Sequence, residues 1–261
     1  MNLDLQGKKA MVCGSTQGIG KASAIELALL GAEITLVARN TEKLESVRKE
    51  LPALHGQRHN FLVADFSDLA SLESALSGFG DANSIHILVN NTGGPPAGQA
   101  IDAEIKDFMA AFTSHLACNH LLAKTLVPGM KAARYGRIIN VISTSVKIPI
   151  RGLGVSNTIR GAVANWSKTL SLELAAYGIT VNNVLPGASM TARLESIIAT
   201  RAEKTKKSKE EIIKEMESEI PVGRISDPAE VAAAIAFLAT PAAGYINGVN
   251  IPVDGGRTGS L

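Results

Sequence analysis

The stretch Cys13-Gly14-Ser15-Thr16-Gln17-Gly18-Ile19-Gly20 follows an apolar run at residues 9–13 and precedes a helical pattern that stops at Gly31. Its glycines allow a tight turn and let the backbone approach a pyrophosphate, which the N-terminus of the next helix stabilises. The spacing is G-x-x-x-G-x-G rather than G-x-G-x-x-G, but the position between a strand and a helix favours a nucleotide-binding loop over a turn without a ligand. We therefore predict that residues 14–20 bind the phosphates of a dinucleotide.

Short β-rich runs alternate with helical patterns along the rest of the chain. The patterns predict strands at 9–13, 34–38, 61–64, 85–89, 137–142 and 179–184, with a last strand before Asp254. They predict helices at 19–30, 41–51 with Thr41 as N-cap, after Ser67 or Asp68, at 103–133 with a break near Pro128, and at 155–176. A further helix precedes the last strand.

This alternation defines the expected fold class. Apolar strands joined by helical crossovers predict a single doubly wound, Rossmann-like α/β domain over residues 1–261, with a parallel sheet of about seven strands and helices on both faces. Residues 201–219 are dense in Lys and Glu. They fit a solvated helix, or a flap on the substrate side that interrupts the alternation.

Composition excludes several classes of function. The 261 residues are 46% hydrophobic, and 26 basic against 24 acidic residues leave a formal charge of +2, which does not favour a nucleic-acid partner. Two cysteines, Cys13 and Cys118, cannot form a disulfide framework and suit a reducing compartment. The first residues lack the apolar core of a signal peptide, and the charge-free stretch 231–253 contains Pro and Gly. We expect a cytoplasmic protein with a small-molecule partner, no membrane partner and no metal site.

The residue after the second predicted strand indicates which nucleotide is preferred. An acidic residue there would bind the ribose 2′-hydroxyl of NAD, but this chain has Arg39. A guanidinium offers a planar fork of donors that suits a phosphate, so NADP(H) is favoured over NAD. The alternative is that Arg39 is an exposed cation without this role.

Five motifs in order resemble the short-chain dehydrogenase/reductase family over essentially the whole chain. They are the glycine loop, Asp65-Phe66 after the third strand, Asn90-Asn91-Thr92-Gly93 after the fourth, Pro186-Gly187 with Thr191, and the tail from Gly248 to Gly256. The chain looks most like the β-ketoacyl-acyl-carrier-protein reductase type. The resemblance implies cofactor contacts from Asp65, Phe66, Asn91, Thr92, Gly93, Pro186 and Gly187.

The catalytic positions that the resemblance implies depart from the family pattern. The family uses Asn, Ser, Tyr and Lys, and only the serine is retained, as Ser143. The tyrosine position holds Ser156, the lysine position Arg160 and the asparagine position His115. A tyrosine has a pKa near ~10 and can be tuned into a proton donor, whereas a serine hydroxyl cannot be tuned that far by one cation.

Three replacements for the missing proton donor are open. His115 could relay a proton, or only fill the space of the asparagine. Lys147 could donate a proton or bind a substrate carboxylate, or only be a surface lysine. Apart from these three, Tyr245 in the last turn is a remote substitute. We favour Arg160, which also holds the nicotinamide ribose, acting with Ser143 and Ser156 to bind an oxyanion while solvent supplies the proton.

The leading function is an NADP(H)-dependent oxidoreductase that reduces a carbonyl or oxidises an alcohol, with a 3-oxoacyl-type substrate included. The alternatives are an NADP-binding regulatory or sensor protein without dehydrogenase turnover, and an elimination or isomerisation in the same pocket. The resemblance also implies a homotetramer. Small and apolar residues on the helix after Ser156 suit close packing: Gly161, Ala162, Ala164 and Trp166.

Overall fold

A computed structural model describes residues 1–77 and 84–260 of the chain. Its strands are β1 Lys9–Cys13, β2 Glu33–Ala38, β3 Asn60–Val63, β4 Ile87–Asn90, β5 Gly136–Val141, β6 Ile179–Pro186 and β7 Asn250–Val253. They pair in parallel in the order β3-β2-β1-β4-β5-β6-β7. The predicted doubly wound α/β domain is confirmed.

Helices cover both faces of this sheet. They are α1 Gly18–Leu29, α2 Thr41–Glu50, α3 Leu69–Leu76, α4 Ile105–Phe112, α5 Cys118–Ala133, α6 Gly154–Leu174, α7 Ala192–Thr205, α8 Lys209–Ser218 and α9 Pro228–Ala239. Alternate residues of β1 point to opposite faces, as a pleated strand requires. Val12 joins the core under α1, α2 and α9, whereas Met11 joins the core under α3, α5 and α6.

A ladder of four asparagines crosses the sheet through paired register positions. Asn90 Nδ2 donates to Asn140 Oδ1 at 2.8 Å, Asn140 Nδ2 to Asn183 Oδ1 at 2.9 Å, and Asn183 Nδ2 to Asn250 Oδ1 at 2.7 Å. The first three side chains are buried, where an unpaired amide would cost stability. The ladder therefore fixes the register of β4 to β7 close to the strand ends that carry the site.

Two local predictions were wrong. The N-cap of α2 is Asn40 rather than Thr41, because the Asn40 Oδ1 accepts a hydrogen bond from the Lys43 N–H at 2.8 Å. The long helical region does not break at Pro128, which lies inside α5. Pro128 and Lys124 are both exposed, so the carbonyl that proline leaves without a helical donor can be hydrated.

The long helical region is instead interrupted by a single π-helical turn, Thr113–Ala117, between α4 and α5. Such a turn inserts an extra residue and frequently marks a functional site. It contains His115, which is buried.

Helices α7 and α8 form a small unit beside the sheet with an apolar core of their own. Leu194, Ile198 and Ala202 of α7 pack with Ile212, Ile220 and Ile225. Segment 201–219, predicted as a solvated helix or a flap, comprises the end of α7 and all of α8, and Glu215 pairs there with Arg201 and Lys207. In residues 1–77 and 84–260, no helix has the length and apolarity needed to cross a membrane.

Candidate functional site

The glycine turn adopts a geometry that larger side chains would disrupt. Gly14 and Gly18 have φ of 58° and 54°, the left-handed region. A β-carbon on Gly14 would lie 2.6 Å from the Asn91 carbonyl oxygen, and one on Gly20 would lie 2.2 Å from the Gly14 oxygen. Asn91 Nδ2 donates to the Cys13 carbonyl at 3.3 Å and so ties β4 to the turn.

One cleft begins at this turn and has a volume of about 680 Å³. Of the predicted cofactor residues, those that line it are Gly14, Thr16, Gln17, Gly18, Ile19, Arg39, Asp65, Phe66, Asn91, Thr92, Gly93, Arg160, Pro186 and Gly187. Ser15 and Gly20 of the turn do not line the cleft. The buried Ser15 Oγ accepts from the Val37 N–H at 3.0 Å, so it joins β1 to β2 and does not face the cleft.

At one end of the cleft, Arg39 lies 3.7 Å from the Asp65 carboxylate. The Ser67 N–H and hydroxyl also bond Asp65, at 2.8 and 2.7 Å. The hydrogen bonds from Ser67, with the Arg39 charge, lower the pKa of Asp65 below its ordinary value. Lys43 lines the same end of the cleft, which the sequence analysis did not predict. The sequence feature that could have indicated it is the Asn40 cap, which places Lys43 in the first turn of α2.

At the other end, Ser143, Ser156 and Arg160 all line the cleft. Ser156 and Arg160 lie one turn apart on α6 and are only 8% and 7% exposed. Ser143 follows β5, and its Oγ accepts from the Ser145 N–H at 3.1 Å. Arg160 Nη1 donates to the Val141 carbonyl at 2.9 Å, which holds the guanidinium against the end of β5.

His115 approaches this end from behind but does not line the cleft. Its Nδ1 lies 2.5 Å from Thr92 Oγ1. Burial, together with the positive charges of Arg160 and Arg193, lowers the pKa of His115 to about 3. The imidazole is therefore neutral near pH 7 and bonded to a residue of the cleft wall.

The chain's tyrosines lie away from the cleft. Tyr135 donates its hydroxyl to the Ala239 carbonyl at 2.6 Å, Tyr177 stacks under Lys131, and Tyr245 is fully exposed. Lys147, also considered from the sequence, is outside the cleft lining. Among the described side chains, Ser143, Ser156 and Arg160 are thus the sequence-predicted catalytic residues that the structure brings together.

Sequence reasoning missed Arg193, which lines the cleft from the first turn of α7. Its Nη1 and Nη2 donate to the Gly94 and Pro95 carbonyls, each at 2.7 Å. It follows the Pro186-to-Thr191 motif by two residues, and Thr191 caps α7 through a hydrogen bond from the Leu194 N–H. That short spacing after the motif, in the first turn of α7, was the available signal.

The buried Ser189 hydroxyl also lines the cleft and has no hydrogen-bond partner within residues 1–77 and 84–260. An orphaned buried hydroxyl in a cleft wall fits a polar group of a ligand. Over the same residues, no group of three His, Cys, Asp or Glu side chains is arranged to hold a metal ion.

Comparison with known proteins places this cleft in a family. A family model described as enoyl-(acyl carrier protein) reductase matches residues 14–258. The chain therefore belongs to the short-chain dehydrogenase/reductase family, as the five motifs indicated.

Relatives in this family share the whole length of the chain. The 3-oxoacyl-[acyl-carrier-protein] reductase FabG of Haemophilus influenzae is 34% identical, with 97% of this chain and 98% of the relative covered. The NADPH-dependent reductase BacG of Bacillus subtilis is 31% identical, with 97% and 99% covered. The structure of L-sorbose reductase from Gluconobacter frateurii, complexed with NADPH and L-sorbose, superimposes with a TM-score of 0.93 at 28% identity and full coverage of both chains.

Proposed function

We propose that the protein is an NADP(H)-dependent oxidoreductase that reduces a small-molecule carbonyl or oxidises the corresponding alcohol. The observation that carries the proposal is one continuous cleft that runs from Arg39, past the glycine turn, to Ser143, Ser156 and Arg160. The relatives named as NADPH-dependent reductases, and the similarity to a structure complexed with NADPH, support the choice of cofactor. A 3-oxoacyl-type substrate is consistent with the FabG relatives.

The residues present fit a bound nucleotide. The turn from Gly14 to Ile19 would hold its phosphates, and Arg39 with Lys43 would hold the ribose phosphate. Asp65 and Phe66 line the wall where the family binds adenine. The unpartnered Ser189 hydroxyl offers a further hydrogen bond at the reaction end. When bound, NADPH supplies a hydride to the substrate carbon.

The side chains at the reaction end stabilise charge on the carbonyl oxygen. Burial and the neighbouring Arg193 lower the pKa of Arg160 to about 10, so Arg160 keeps its charge at neutral pH. A buried cation with two nearby hydroxyls, from Ser143 and Ser156, favours the negative oxygen that develops as the carbonyl is reduced. The oxygen then takes its proton from water, which yields the alcohol.

His115 acts in this scheme as a positioning residue. With a pKa of about 3 it cannot take up a proton near pH 7, which argues against the proton relay considered from the sequence. Its contact with Thr92 holds the loop after β4 in place.

A titration with NADPH and, separately, NADH tests the function. Trp166 lies outside the cleft lining and bonds His120, so the fluorescence of the nucleotide is the signal to follow. We expect tight NADPH binding, weaker NADH binding, and oxidation of bound NADPH by ketone substrates. Failure of both nucleotides to bind would reject the proposal.

The double variant Ser156→Tyr with Arg160→Lys separates an enzyme from a sensor. It restores the family's usual proton donor in the same pocket. The native protein would then be a binding protein without turnover if it binds NADPH but reduces no ketone, while the double variant gains ketone reduction.

A homotetramer and a reducing, cytoplasmic location complete the proposal. Ile105, Met109 and Phe112 share one face of α4 and are 77%, 58% and 42% exposed. Among residues 1–77 and 84–260, a β-carbon on Gly161 of α6 would meet no atom outside the backbone of its own helix within 4 Å, which leaves room for a partner helix. Cys13 and Cys118 are both buried as free thiols. Light scattering that gives four times the chain mass would support the tetramer, and a monomer mass would reject it.

The flap on the substrate side stays part of the proposal. The cleft is lined on this side by Thr191, Arg193, Leu194 and Ile197. The first half of α7 therefore forms part of the cleft wall, and segment 201–219 follows it along the chain.

A further inference from the structure

Two arginines from distant parts of the chain meet at the reaction end of the cleft. Arg160 comes from α6 and Arg193 from the first turn of α7. The point where a β-carbon on Gly94 would stand lies 3.6 Å from Arg160 Nη2 and 3.2 Å from Arg193 Nη2. Two like charges are therefore held close to each other around a glycine that leaves the space between them open.

Neither guanidinium has a carboxylate within ion-pairing distance among residues 1–77 and 84–260. The one acidic residue that lines the cleft in that part of the chain is Asp65, which pairs with Arg39 at the opposite end. Arg160 is buried, whereas Arg193 is partly open to solvent. A buried cation without a counter-ion is costly, and a second cation beside it adds to the cost. An anionic ligand between them would offset that cost.

Both side chains keep N–H donors available for such a ligand. A guanidinium has five N–H groups. Arg160 uses one on Val141, and Arg193 uses two on Gly94 and Pro95. These contacts also fix both planes, so the remaining donors are oriented before a ligand arrives. Burial lowers the pKa of each arginine, most strongly that of Arg160, but to about 10, so both stay charged at pH 7.

We propose that Arg160 and Arg193 bind a carboxylate of the substrate, so that the substrate is an oxo acid and the product of its reduction a hydroxy acid. The planar forks match the two oxygens of a carboxylate. Because a guanidinium has five N–H donors, Arg160 can bond the carboxylate and, with Ser143 and Ser156, still stabilise the adjacent carbonyl oxygen of an oxo acid. The inference rests on the proposed function, because it names the substrate class of the same site. It favours a free oxo acid over a neutral thioester.

The anion could instead be a phosphate of the nucleotide. The glycine turn and the Arg39 end already provide for those phosphates, which leaves the Arg160–Arg193 pair to the substrate. The two sources differ in one respect that can be measured: a substrate carboxylate binds together with NADPH, whereas an anion in a phosphate site competes with NADPH.

Calorimetric titration of the protein–NADPH complex with oxamate, and with its neutral counterpart oxamide, tests the inference. We expect oxamate to bind and oxamide to bind at least about 10-fold more weakly, since the carboxylate provides charge-assisted hydrogen bonds. Arg193→Gln is expected to weaken oxamate by at least about 10-fold while the Kd for NADPH changes less than about twofold. Arg193→Lys, which retains the charge, should restore part of the affinity.

Arg201→Gln is the matched control, because Arg201 is on the same helix but pairs with Glu215 away from the cleft. It should leave oxamate binding unchanged. Oxamate that competes with NADPH, or binds Arg193→Gln as well as the native chain, overturns the inference. The inference is also overturned if the protein binds NADPH and reduces neutral ketones but does not bind oxamate. In that case the proposed function stands. Failure of NADPH to bind would overturn both.

Discussion

The two ends of the cleft carry cations in opposite settings. Arg39 is mostly exposed, its side chain 73% accessible, and it has a carboxylate partner in Asp65. Arg160 is buried and has no carboxylate partner among the described residues. Salt and water screen the first charge, whereas the second acts at a low effective dielectric. The nucleotide end can therefore shift the preference between NADPH and NADH. The reaction end can stabilise the negative charge that develops on the carbonyl oxygen.

The largest expected effect on nucleotide binding comes from a substitution in the glycine turn between these two ends. In Gly14→Ala, the new β-carbon would lie 2.6 Å from the Asn91 oxygen at a left-handed φ. We expect the Kd for NADPH to rise about 100-fold, equivalent to about 3 kcal/mol, which is the upper part of what overpacking costs. Nucleotide fluorescence titration measures the change.

Gly7→Ala is the control for backbone strain in that experiment. Gly7 has φ of 74°, and a β-carbon there would meet no atom of the described part of the chain within 4 Å, its two chain neighbours aside. It should lose about 1–2 kcal/mol of stability through strain and leave the Kd for NADPH unchanged. Equal losses of affinity in the two variants would mean that the contact with Asn91 does not shape the turn.

The nucleotide end was largely predictable from sequence for a physical reason. Its recognition depends on backbone geometry, and a turn that needs φ above zero leaves glycines at fixed positions such as Gly14 and Gly18. Arg39 directly follows β2, and Asp65 lies two residues after the end of β3, so their placement at one sheet edge follows from the fold.

The reaction end was less predictable because its side chains come from separate elements. Ser156 and Arg160 share a helix, but Arg193 reaches the cleft only through the capped start of α7. The environment of His115 depends on a π-helical turn that no residue pattern announces. Burial and mutual charge, which decide what these groups do, are tertiary properties.

The pH dependence of the unfolding free energy tests whether His115 is held neutral beside the positive charges at the reaction end. Folded protein keeps His115 neutral down to about pH 3, whereas an unfolded chain protonates it near pH 6.5. The unfolded state thus binds more protons between these values, and stability falls as the pH is lowered through 6.5. From pH 7.5 to pH 5, we expect the native chain to lose about 2 kcal/mol more unfolding free energy than His115→Asn.

Urea unfolding at the two pH values measures this difference. His55→Asn removes an exposed imidazole and should retain the native pH dependence. A His115→Asn variant with the same pH dependence as the native chain would contradict the burial of a neutral imidazole beside Arg160 and Arg193.

The smallest expected effect lies at the exposed end, where Arg39→Gln should weaken NADPH but not NADH. The guanidinium would contact only the extra phosphate, and its exposure limits the loss to about 10-fold at low ionic strength. Because that charge is screened, the difference between native and variant should shrink toward about 1 M salt, where the Debye length is about 3 Å. Arg58→Gln removes the same charge from an exposed position outside the cleft lining and should change neither Kd. If NADPH and NADH weaken equally in Arg39→Gln, then Arg39 supports the fold of this edge, and Lys43 becomes the candidate for the phosphate.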